Sequence, residues 1–127
     1  MPLDSNVDHE RRRVHVKGSD PITTTTVLES LEHQAAIGAW RYATLVDLSE
    51  ATWIPAAAEL RQFLGQIQRL SKQHGVRGPV AFAVAGNGAL FGMIRMYGIL
   101  AEMETSNPIT VEVFQTATEA AAWLDAL

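Results

Sequence analysis

Four short strand-like runs, each followed by a longer helical pattern, dominate this sequence. Residues 42–46 and 80–84 are apolar on both faces, which is typical of strands buried within a parallel sheet. Residues 14–17 and 109–113 alternate apolar and polar side chains, which indicates one solvated face. Strand–helix alternation favours parallel strands joined by right-handed crossovers. We therefore predict an α/β fold with a single-layer mixed, mostly parallel sheet of four to five strands and four helices.

The helix boundaries carry local signals. Thr26 with Glu29, and Thr116 with Glu119, have the spacing of a capping box, in which each side chain satisfies a backbone N–H of the first turn. Pro55 suits the first position of the second helix, because its fixed φ is already helical. Glycines that can stop a helix in the left-handed conformation follow the first two helices, at Gly38 and Gly75.

Length and composition limit the organisation of the chain. A chain of 127 residues with 47% apolar and 19% charged side chains can bury one core but not two. We expect one domain over residues 11–127, preceded by a polar arm or weak edge strand at residues 1–10.

Charge and cysteine content exclude several function classes. The net charge of −4 argues against nucleic-acid binding, which requires a basic face. The absence of cysteine excludes disulfides and thiolate chemistry. Neither a signal-peptide pattern nor an apolar run of membrane length occurs. We expect a cytoplasmic protein without membrane insertion.

No catalytic constellation stands out in the sequence. The histidines have no partner at metal-ligand spacing, and no Gly-x-Ser-x-Gly elbow follows a strand. We therefore expect no enzyme activity, no bound metal and no cofactor.

Two segments could contact a small ligand. Asp47, with Ser49 close behind, ends a buried strand, where ligands of open α/β sheets bind. Asn87 and Gly88 belong to a glycine turn that opens the third helix, and its backbone N–H groups could hold an anion. Turn formation alone also explains both segments, so both interpretations remain open.

The third helix has two apolar stripes on nearly opposite sides. The inner stripe, suited to packing on the sheet, consists of Leu90, Met93, Ile94, Tyr97 and Ala101. The outer stripe consists of Gly92, Met96, Ile99 and Met103. Because a helix must cover every apolar face, either the closing helix with Trp123 or a loop packs on the outer stripe, or a partner or ligand does. The outer stripe is thus the predicted interface.

The segment at residues 44–58 resembles the strand–loop–helix of STAS domains, which include anti-sigma-factor antagonists. More closely, the chain is similar to the SpoIIAA-like (STAS/Sec14-like) family of bacterial proteins. The similar motifs are a Val-x-Val-x-Gly strand, Leu-Val-Asp-Leu, Gly-Pro-Val-Ala, Phe-Gly-x-x-Arg-Met-Tyr and a closing Val-Phe…Ala-x-x-Trp-Leu, at residues 14–18, 45–48, 78–81, 91–97 and 113–124. The order and spacing of the motifs carry the resemblance, which implies a SpoIIAA-like fold.

One departure from that pattern affects function. In anti-sigma-factor antagonists a serine at the start of the following helix is phosphorylated, whereas residues 55–58 here are Pro-Ala-Ala-Ala and carry no hydroxyl. The phosphoserine switch is therefore not implied for this chain. The Sec14 comparison implies a cavity for an apolar ligand.

These observations favour a non-enzymatic protein-interaction domain that forms a homodimer or binds a protein partner. The alternative is a carrier of an apolar or anionic small molecule. Its site would lie between the third helix, Asp47 and the turn at residues 86–88.

Overall fold

The computed structural model describes residues 3–85, 88–104 and 109–127. Within these ranges the strands are β1 Leu3–Asp8, β2 Arg13–Ser19, β3 Ala43–Glu50, β4 Val80–Ala83 and β5 Val111–Phe114. The helices in the same ranges are α1 Thr24–Ala36, α2 Ala57–His74, α3 Gly88–Glu104 and α4 Ala117–Asp125.

The strands form one mixed sheet in the order β1-β2-β3-β4-β5. β1 is an edge strand antiparallel to β2, and the remaining three pairs of neighbours are parallel. The predicted α/β class, the mixed sheet and the four helices are confirmed for the described ranges.

The sequential strand order places the crossover helices together. Each of α1, α2 and α3 connects two adjacent parallel strands, and right-handed crossovers that all step in one direction put their helices on one face. Alternate strand residues, including Val46 and Phe82, point to this face and pack against the three helices. The main core therefore lies between the sheet and α1–α3.

The final helix packs on the opposite face. α4 contributes Ala120 and Leu124 to a cluster with Leu45, Ala81 and Ala83, which alternate with the residues of the main core. Among the described residues α4 does not connect two strands of the sheet, so the crossover rule does not fix its face.

Two predicted helix starts are wrong by a few residues. The N-cap of α1 is Thr23, whose hydroxyl accepts from the Thr26 N–H at 3.2 Å while the Thr26 hydroxyl accepts from the Thr23 N–H at 2.9 Å. Because threonines supply both halves of the box, the helix begins before Thr26. α2 begins at Ala57 rather than Pro55, since the Glu59 carboxylate accepts from the Ala56 N–H at 2.9 Å. Thr116 is the N-cap of α4, as predicted.

Among the described glycines, Gly78 is the one that lies closest to other backbone atoms. A Cβ at this position would lie 2.5 Å from the carbonyl oxygens of both Arg41 and Tyr42. We predict that Gly78→Ala lowers the free energy of unfolding by at least about 2 kcal/mol, because backbone atoms cannot move aside as a flexible side chain can.

Gly65 in the exposed part of α2 is the matched control, since a Cβ there meets nothing within 4 Å. Gly65→Ala should raise the free energy of unfolding by about 0.5–1 kcal/mol. Urea denaturation followed by circular dichroism measures both, and equal effects at the two positions would contradict the assigned packing.

Candidate functional site

A cavity of about 100 Å³ lies between the sheet and helices α1–α3. Val27, Ser30, Leu31 and Gln34 line it from successive turns of α1, which corresponds to about 10 Å along the helix axis. α2, α3 and the sheet contribute mainly apolar walls. The polar side chains of the whole lining are Ser30 and Gln34 on α1, Arg77 in the loop after α2, and Tyr97 on α3.

Hydrogen bonds made by the side chain and the backbone of Trp40 fix the loop that carries Arg77. The Trp40 indole N–H donates to the Gly75 carbonyl oxygen at 3.0 Å, and the Gly78 N–H donates to the Trp40 carbonyl oxygen at 3.4 Å. Gly75 adopts a φ of +95°, which glycine tolerates without strain, and Gly78 lies against the backbone of Arg41 and Tyr42, just before β3. Both sides of Arg77 are thus held, and its side chain is turned inward.

Arg77 is 8% exposed and only partly satisfied. One terminal nitrogen, Nη2, donates to Gln34 Oε1 at 3.3 Å, and the guanidinium carbon lies 5.1 Å from the centroid of the Trp40 ring. The Nε atom is buried without a hydrogen-bond partner. Within residues 3–85, 88–104 and 109–127, no carboxylate forms an ion pair with Arg77.

Burial dominates the electrostatics of this region. Desolvation lowers the pKa of Arg77 and raises the pKa of Tyr97, so it opposes the charged form of each side chain. The charge of Arg77 lowers the pKa of Tyr97, but this is the smaller effect. Among the described residues, the groups seen to offset the charge of the guanidinium are the Trp40 ring and the Gln34 amide oxygen.

Of the predicted ligand residues that the structure describes, Asp47, Ser49 and Gly88 do not line this cavity. Asp47 Oδ1 accepts from the Ser49 N–H at 3.0 Å and from the Ser49 hydroxyl at 2.6 Å, so this carboxylate makes a local contact within β3. The expectation that Asp47 ends its strand is wrong, because β3 continues to Glu50. Gly88 is the exposed first residue of α3, and Asn87 lies outside the described residues. A ligand site formed by these residues stays a prediction.

The two stripes of α3 differ in burial. Four of the five inner-stripe residues, Leu90, Ile94, Tyr97 and Ala101, are buried, and Met93 packs partly against the core. Outer-stripe residues Met96, Ile99 and Met103 are 41%, 55% and 77% exposed. The predicted two-faced character of α3 is confirmed.

The closing helix does not cover the outer stripe. α4 packs on the other face of the sheet, where Trp123 contacts Phe114 with ring centroids 5.8 Å apart. The expectation that Trp123 could shield the outer stripe is therefore wrong. The reason is topological, because α3 is a crossover helix and α4 is not.

A groove of about 290 Å³ runs between α3 and β5 beside the outer stripe. Ile99 joins the outer stripe to the groove, and Arg95, Glu102 and Glu112 place charges of both signs along it. β5 is also the last strand of the sheet among the described residues.

Neither a scan of protein-family models nor a search of curated proteins finds a match to this chain. Within the described parts of the chain, no cluster of three histidine or acidic side chains could hold a metal ion. No helix in those parts combines the length and the hydropathy needed to cross a membrane.

Sequence reasoning missed Arg77, the most unusual residue of the interior. Its signal is a cation between two glycines, in Gly75-Val76-Arg77-Gly78-Pro79, immediately before a fully apolar strand.

We predict that Arg77→Met raises the free energy of unfolding by about 1 kcal/mol in carboxylate-free buffer, because it removes a buried charge without orphaning an opposite one. Lys72→Met, at an exposed position of α2, should change it by less than about 0.5 kcal/mol. Chemical denaturation measures both. A loss of stability on removing Arg77 would show that its contacts with Trp40 and Gln34 outweigh its desolvation.

Proposed function

We propose that this protein is a non-enzymatic interaction domain of the SpoIIAA-like fold that acts in the cytoplasm as a homodimer, without a phosphoserine switch. The exposed outer stripe of α3 is the single observation that carries the proposal. The proposal that the protein lacks a phosphoserine switch is supported by the absence of a hydroxyl at residues 55–58.

Exposure of the outer stripe gives association a driving force. Burying an apolar side chain contributes about 1.5–3 kcal/mol, and Met96, Ile99 and Met103 lie on one side of one helix. Methionine adapts its shape to a partner surface, because its side chain is unbranched and flexible. Gly92, at the start of the stripe, is exposed and has no atom within 4 Å of a Cβ built there, so it would let a partner approach the helix backbone closely.

The charges beside the stripe favour a second copy of the chain as partner. A two-fold interface brings each surface patch against itself, so a patch that carries both signs can pair with itself. Arg95 lies in the same groove as Glu102 and Glu112, which meets this requirement. A strongly acidic partner would repel Glu102 and Glu112, and a strongly basic partner would repel Arg95.

The oligomeric state tests this proposal. Sedimentation velocity over a concentration series should show a monomer–dimer equilibrium for the unaltered protein. Ile99→Glu should weaken dimerisation at least about 100-fold, because it places a charge in the apolar centre of the interface.

Ile54→Glu is the matched control, since Ile54 is 47% exposed and lies in the loop before α2. This variant should dimerise like the unaltered protein. A strictly monomeric protein at high micromolar concentration, or equal weakening by both variants, would overturn the proposed interface.

A further inference from the structure

We propose that the cavity around Arg77 binds a small apolar carboxylate, with the guanidinium as its anchor. The proposal rests on the interior of one protomer and is independent of self-association at α3.

The first argument is charge balance. Arg77 carries one positive charge into an interior where the described residues supply no carboxylate to it. A monoanion would neutralise this charge without adding another, whereas a phosphate dianion would leave excess charge in an apolar cavity. A neutral apolar ligand would leave the guanidinium as poorly compensated as before.

The second argument is hydrogen-bonding capacity. Nε of Arg77 is buried with no partner, and Nη2 on the same edge of the guanidinium makes only a 3.3 Å bond with Gln34. A carboxylate presents two oxygens at the spacing of such an edge, so it can satisfy both nitrogens at once. Ser30 and Tyr97 line the same cavity and bring hydroxyl groups that can donate to an anion.

The third argument is size and polarity. A cavity of about 150 Å³ lined by aliphatic and aromatic side chains holds one benzene molecule. The present cavity is smaller, about 100 Å³, and its remaining walls are formed by side chains such as Ile67, Phe82 and Ile94. These dimensions suit a carboxylate of about four carbon atoms, straight or branched.

The cavity also has a side close to solvent. Ser30 and Trp53 line it and are half-buried, whereas Arg77 is buried. A ligand that enters beside Trp53 would place its apolar body among the helices and its carboxylate at Arg77.

Isothermal titration of the full chain with 2-methylpropanoate tests the proposal, with the isosteric 2-methylpropanamide and inorganic phosphate as comparison probes. We expect the carboxylate to bind at least about tenfold more tightly than the amide, and phosphate not to compete with it. Equal affinity for carboxylate and amide, or no binding of the carboxylate at 10 mM, a probe concentration about tenfold above a weak 1 mM site, would overturn the proposal.

A chain-length series provides a second measurement that needs no variant. Affinity should rise from acetate to butanoate and fall by octanoate, because the cavity has a fixed volume. Affinity that rises steadily with chain length, or does not change, would indicate binding at a surface and would overturn the interior site.

Variants then locate the anion. Arg77→Met should abolish binding, while Lys72→Met, on the exposed side of α2, should leave it unchanged. Ile99→Glu should also leave it unchanged, which separates failure of this proposal from failure of the proposed dimer. Unaltered carboxylate affinity in a folded Arg77→Met protein would exclude Arg77 as the anchor.

Discussion

The stepwise parallel pairing of β2 to β5 governs the rest of the structure. Because every crossover between adjacent strands turns in the same sense, three helices must share one face of the sheet. These three helices lie side by side over one face, and the cavity lies between them and the sheet. The opposite face receives one nine-residue helix and holds a smaller, alanine-rich core.

The same constraint explains the position of the outer stripe. α3 is the last of the three crossover helices, with α2 on one side and, among the described elements, no helix on the other. Its apolar outer residues therefore remain exposed even though the core is otherwise well covered. The exposed outer stripe of α3 and the packing of α4 on the opposite face of the sheet both follow from the order of the strands.

Local patterns were sufficient to predict the element types, the α/β class and the division of α3 into two stripes. Local patterns failed at two helix starts and at the burial of a side chain that depends on contacts between distant parts of the chain. The two observed helix starts differ from the predicted ones because Thr23 and Glu59 accept hydrogen bonds from N–H groups that a sequence pattern assigns only approximately. Arg77 was missed for a stronger reason. Its burial depends on Gln34, Trp40 and Tyr97, which lie far from it in sequence and meet only after the sheet has formed. The family resemblance and the interface itself stay predictions.

The position of α4 has a consequence for the order in which the parts of the fold can form. Its packing surface is assembled from β3, β4 and β5, and its last turn pairs Asp125 with Arg13 at 2.9 Å, across almost the whole chain. That surface does not exist until the three strands are aligned. The alanine-lined underside of the sheet is therefore closed only after β3, β4 and β5 have paired, because α4 has nothing to pack against before then.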